Sequence, residues 1–276
     1  MGLWPFGKKK QKASEPAAGD ATAAEGDENG PALGFVLTSS PRLPDLAKIV
    51  SAIRSFAGGK AVEADPKWDD TNLVVQAGDV MVAVSMMPPY PWKDLEGPCA
   101  TAWWWPEATE RLKSHTNHVL VAILGGEMDR IDRRVLLTHV VRAVLKTTDA
   151  VGVYWAEGTV VHEPKTFLEE SAKVTAEDLA PHLWIDVRVE QNPDGSFRSF
   201  TTGLAPLGFL EIEVKRSKRS PEDLMQFVGD VAAYVVNSRV HVKHGETMGG
   251  SAEERIKATH AESMFGRGTV LHLAVP

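Results

Sequence analysis

Residues 201–214 pass from a glycine- and proline-punctuated bend into a strict alternation, and that succession admits one local structure. Gly203, Pro206 and Gly208 mark a bent, close-packed approach rather than a regular ladder. Leu210, Ile212 and Val214 then alternate with Glu211, Glu213 and Lys215, the period of a strand with one buried and one charged face. Two carboxylates on one strand face lie about 7 Å apart, given the rise per residue. Ser220 is placed to cap a following helix, with Pro221 at its first position and Glu222 and Asp223 in its first turn, where the helix dipole favours acids. Leu224, Phe227, Val228, Val231 and Val235 give that helix an apolar stripe that can cover the strand.

Elsewhere the same two periods recur. Residues 118–124 are apolar on both faces, which suits a central strand covered on each side. Phe35 to Leu37, Leu73 to Val75, Val80 to Val84 and Val151 to Trp155 read as further strands. Helices are expected after Pro44 (stopped by Gly58-Gly59), from Pro106 to about Ser114, from Arg133 to Leu145 and from Pro164 to Lys173. In the second half, Leu183 to Glu190 alternates, Asn192-Pro-Asp-Gly195 is a turn, and Phe197 to Thr202 returns. Val240 with Val242, and Val270 to Leu273, are expected as short closing strands. The expected class is α+β: two linked lobes, mainly antiparallel sheets with helices packed on them, at residues 33–178 and 179–276. Residues 1–32, rich in alanine, glycine and acids, carry no periodic apolar pattern and read as a disordered tail.

Charge and cysteine content narrow the function. A net charge of -7 argues against general nucleic-acid affinity, which needs a basic surface to release counterions. Cys99 is the single cysteine, so no disulfide can form within the chain and a reducing, cytoplasmic setting is the simplest expectation. No apolar run approaches a spanning helix. The head, Leu3-Trp-Pro-Phe6 followed by Lys8 to Lys10, could rest on an anionic membrane surface, although position 6 is Phe where acylation needs Ser or Thr.

Several groups could carry chemistry. Glu211 and Glu213, with Glu246 in Gly245-Glu-Thr-Met-Gly249, could serve as acid and base; any solvated strand face paired with Arg188 or Arg198 gives the same pattern. His115 with His118, and His241 with His244, have the His-x-x-His spacing of zinc ligands on a helix, but neither pair brings a third ligand, and no metal or other cofactor is expected. Cys99 would need a base to act as a nucleophile, and a buried thiol is the default. Gly125-Gly126 and Gly249-Gly250 match no phosphate-binding loop. Tyr90 and Trp92 in the proline-rich loop, with Trp103 and Trp104, are candidates for a binding surface, since rigid aromatics anchor interfaces; the alternative is a plug between the lobes. Gly203 joins them as a candidate binding position at the bend.

Five spaced segments also carry a resemblance. They are Met86-Met-Pro-Pro-Tyr-Pro-Trp-Lys-Asp-Leu-Glu-Gly-Pro-Cys99, His115-Thr-Asn-His118, Gly152-Val-Tyr-Trp155, Thr202-Gly-Leu204 with Gly208 and Glu211-Ile-Glu213, and Gly245-Glu-Thr-Met-Gly249. In this order they resemble a bacterial family of domains of unknown function, the one numbered four-two-six-one, over residues 34–276. The resemblance implies a bacterial cytoplasmic protein of a family with no assigned activity and no catalytic residues to carry over. Leu207-Gly-Phe209 departs from the Phe-Gly-Lys or Phe-Gly-Arg of that bend. Two functions follow as expectations. One is a non-catalytic interaction or regulatory module that binds another protein. The other is a hydrolase or metal-dependent enzyme built on Glu211, Glu213, Glu246 and a histidine, which would require those groups to converge.

Overall fold

A computed structural model describes residues 30–56, 67–68, 71–249 and 255–276. The expectations for the tail before Gly30, for the Leu3 to Lys10 head, for the Gly58-Gly59 stop and for Gly250 lie outside these residues. The first half runs β1 (Ala32–Thr38), α1 (Leu46–Phe56), β2 (Lys67–Trp68), β3 (Asn72–Ala77), β4 (Val80–Met87), α2 (Trp92–Thr101), α3 (Ala108–Lys113), β5 (Asn117–Leu124), α4 (Arg130–Leu145), β6 (Ala150–Trp155), β7 (Val160–His162) and α5 (Pro164–Ser171). The second runs β8 (Asp186–Gln191), β9 (Phe197–Thr202), β10 (Ile212–Ser217), α6 (Pro221–Ser238), β11 (Thr247–Met248), β12 (Ile256–Glu262) and β13 (Thr269–Leu273). No helix among the described residues is long and apolar enough to cross a membrane.

The strands form two sheets, ordered β2-β3-β4-β5-β1-β6-β7 and β11-β12-β13-β10-β9-β8. Every pairing is antiparallel except β10 with β13, which is parallel because α6 and the β11–β12 segment intervene between them. This is an α+β architecture. β5 sits centrally, as its two apolar faces require: Val119, Val121 and Ile123 enter the main core, while Leu120 packs against a second cluster under α2 and α3. β1 alternates likewise, with Val36 on one side and Phe35 and Leu37 on the other.

One continuous buried cluster joins α1 and α4 on the first sheet to α6 on the second. Trp155 and Trp184 stack across this junction at 6.5 Å, and the Trp184 indole donates to the Thr138 hydroxyl at 2.9 Å. Each fully buried aliphatic or aromatic side chain contributes about 1.5–3 kcal/mol, so the shared core is the main tie between the two halves. The buried Arg134–Glu157 ion pair, with Arg134 also reaching the Pro206 carbonyl, spans the same junction.

Several local expectations are corrected. Val240 and Val242 form no strand; Val242 instead turns into the core. The alternation at Leu183 begins as a single 3-10 turn over Pro181–Leu183, and the strand starts only at Asp186, because Leu183 and Trp184 are drawn into the inter-sheet core. β1 already begins at Ala32, fully buried, inside the stretch read as tail. Trp92–Thr101 is helical despite Gly97-Pro98; Pro98 forgoes one backbone bond inside the helix, which ends three residues after it.

Candidate functional site

Position along β10 accounts for Glu211 and Glu213. Ile212 and Val214 are buried, as the alternation demands, but the acidic neighbours do not look out onto a solvated face. Glu213 is 1% exposed. Its carboxylate accepts the Ser263 hydroxyl at 2.5 Å and the Met264 N–H at 2.8 Å, both in the β12–β13 turn. Glu211, just ahead of the strand, accepts the Thr201 hydroxyl at 2.6 Å and the N–H groups of Gly203 and Ala205 at 2.9 and 3.0 Å. The outward-facing arrangement expected for this pair is therefore overturned, because each carboxylate satisfies orphan donors of a neighbouring loop. Glu246 is exposed and accepts the Lys243 N–H at 2.9 Å, a turn-closing bond.

Gly203 has φ 118°, and a Cβ there would stand 2.5 Å from the Trp184 carbonyl oxygen. A Cβ on Gly158 would meet the same oxygen at 2.0 Å. Gly203, just past β9 of the second sheet, and Gly158, in the β6–β7 turn of the first, thus both leave room for the Trp184 carbonyl where the backbones crowd together, a Cβ on Gly203 also standing 3.1 Å from the Gly158 Cα.

The histidines pin loops. His118, 8% exposed, bonds the Pro88 carbonyl at 2.6 Å, and His115 bonds the carbonyls of Leu112 and Tyr90. Burial holds the His118 pKa below the usual value, keeping it neutral. His241 packs on Phe209 at 5.1 Å, whereas His244 accepts the His260 N–H at 3.1 Å. Among the described residues no group of three or more His, Cys, Asp or Glu side chains could hold a metal ion. Cys99 is buried, and burial pushes its thiol up to about 11, far from the range of a reactive thiolate.

The aromatic candidates divide by exposure. Trp105 is 5% exposed and joins the cluster under α2 and α3, against which Tyr90 and Trp92 are half-buried. Trp103 is 65% exposed and Trp104 38%. Their rings stand nearly perpendicular at 5.8 Å, and the Trp104 indole donates to the Val161 carbonyl of the edge strand β7 at 3.1 Å. Lys113 lies 5.0 Å over the Trp92 ring. Trp105 is thus anchored in the same cluster as Tyr90 and Trp92, and beside it Trp103 and Trp104 form a shelf of two exposed indoles.

A cleft of about 620 Å³ opens between the start of α4, the 207–209 bend and the end of α6. Its charged wall is largely self-neutralised: Asp129 caps α4 and pairs with Arg239 at 3.0 Å, and Arg239 also reaches Asp132. The Arg130 guanidinium lies against Gly208, so a cation from α4 stands beside the bend that has no basic residue of its own.

Sequence reasoning missed the β12–β13 turn. Phe265 packs on Phe200 at 4.6 Å, and Arg267 lies 5.5 Å from the Phe200 ring and 5.3 Å from that of Phe265. The glycines at 266 and 268, both at positive φ, were the available hairpin signal.

These features define a two-sheet α+β protein with loop-pinning carboxylates and an exposed indole shelf. Residues 200–274 match the family model described as a domain of unknown function (DUF4261), a match spanning β9 to β13 and α6 within the broader stretch of the expected resemblance. No curated protein and no solved structure matches the chain.

Proposed function

We propose that this protein is a non-catalytic interaction module that binds another protein through the shelf bearing Trp103 and Trp104. The observation that carries the reading is the pair of exposed indoles at right angles, Trp104 held by its bond to the Val161 carbonyl. Large aromatic side chains with few rotors bury much area on association at little entropic cost, and pinning lowers that cost further. The hydrogen bonding of Glu211 and Glu213 favours this reading over acid–base chemistry, because both carboxylates already hold backbone. The lone, buried cysteine supports a reducing compartment such as the cytoplasm.

The test is affinity capture from the source organism with wild type, Trp103→Ala and the control Lys165→Gln on α5. The reading expects a specific partner retained by wild type and the control and lost by Trp103→Ala. An unchanged partner set in Trp103→Ala, with the fold intact by circular dichroism, would remove the shelf from consideration.

A further inference from the structure

Among the described residues, the second sheet has one face covered by α6 and one that no helix covers. Strand register assigns residues to the uncovered face: Arg188, Phe200, Glu213, His272 and Thr259 follow one another across β8, β9, β10, β13 and β12. The β12–β13 turn, residues 263–268, folds back over the middle of this row. Glu213 beneath it grips Ser263 and Met264, so Phe265 and Arg267 are held in place.

What this arrangement presents to solvent is basic. Arg267 bonds the Thr202 hydroxyl at 3.1 Å and lies over two aromatic rings; Lys215 and Lys257 project from β10 and β12. Among the described residues none of these three cations is paired with a carboxylate. Arg198, 5.7 Å from the Phe265 ring, is paired with Glu190 through a half-exposed bridge. Phe265 itself is 38% exposed at the centre of the group. The concentration stands out because the chain as a whole carries a net charge of -7.

We infer that this face is a docking surface for an acidic, aromatic-containing segment of a partner polypeptide. Carboxylates of that segment would meet Lys215, Lys257 and Arg267, and its aromatic side chain would pack on the exposed part of Phe265, which Phe200 already meets at a tilt from below. The short reach of the patch favours a peptide over a nucleic acid, whose polyphosphate backbone needs an extended basic track. The surface is separate from the Trp103 shelf, so either can fail without the other.

The experiment is fluorescence anisotropy at low salt with a labelled alternating Glu-Tyr peptide, and labelled oligo-dT as a second arm. Wild type and Trp103→Ala are expected to bind the peptide equally. The double variant Lys215→Gln/Lys257→Gln and the single variant Arg267→Gln are each expected to weaken it by about tenfold, and added salt to weaken wild type further. Lys215 and Lys257 are exposed, so the double variant should keep the fold, checked by circular dichroism. Peptide binding that ignores these variants, tighter binding of oligo-dT, loss of binding in Trp103→Ala, or no binding by wild type would each overturn the inference.

Discussion

The carbonyl oxygen of Trp184 lies 2.5 Å from the point where a Cβ on Gly203 would stand, and Gly203 holds φ 118°. Two backbones meet there with no room for a side chain, beside the Trp155–Trp184 stack that joins the sheets. Gly203→Ala should therefore combine a strained left-handed backbone with a backbone clash and cost about 3 kcal/mol or more. Chemical denaturation measures it; a loss below about 1 kcal/mol would show that the contact relaxes freely.

Glu213 should behave as a structural latch. In Glu213→Gln the amide retains one acceptor but turns its NH₂ toward a donor, so a charge-assisted bond is lost and about 2 kcal/mol with it. Amide exchange at Met264 and Phe265 should quicken more than exchange in β6 or α4. Equal protection in wild type and variant would mean that the turn is held by its aromatic contacts alone.

Acid should destabilise the protein through His162. Burial lowers its pKa from 6.5 to about 4 while its Nε2 bonds the Leu183 carbonyl at 3.0 Å. The unfolded chain takes up a proton as pH falls through 6.5 and the folded protein does so only near 4, so stability drops within that window and levels off below it. Linkage gives about 2 kcal/mol lost by pH 5 from this residue. Urea denaturation of wild type and His162→Gln at pH 7 and pH 5 isolates the effect: the variant's pH dependence should be shallower by that amount.

Arg239 separates backbone strain from charge. It closes α6 at φ 51°, a left-handed conformation that suits glycine, while its side chain bridges to Asp129 and Asp132. The bridge is roughly 40% exposed on the Arg239 side and contributes under about 1 kcal/mol. Arg239→Ala keeps the left-handed strain and loses the bridge, so it should cost up to about 1 kcal/mol, whereas Arg239→Gly relieves strain that offsets the lost bridge and should be neutral or slightly stabilising. Equal melting temperatures for the two variants would contradict this division.

The strands with clear alternation and the helices with clear stripes were legible. Ile212 and Val214 are buried, the Ser220 hydroxyl accepts the Asp223 N–H, and β5 is central with both faces covered. Residues 240–242 misled because two valines two apart carry the strand period without strand pairing; only Val242 finds the core. α2 was masked by Gly97-Pro98, a helix-breaking pair that this helix nevertheless contains. The candidate carboxylates were placed on the correct strand region and given the wrong surroundings.

Sequence alone determined which faces are apolar and where chains turn, because periodicity and turn chemistry act between residues a few positions apart. It determined that Leu210, Ile212 and Val214 share a side, that Ser220 begins a helix, and that no internal disulfide exists. The tertiary structure alone decided what each polar side chain does: Glu213 meets Ser263 at a separation of 50 residues, and Trp104 meets Val161 at 57. Such a pairing depends on how sheets stack and where a turn folds back, and no local pattern encodes the partner. A carboxylate beside a buried residue therefore reads the same in sequence whether it faces water or fastens a loop.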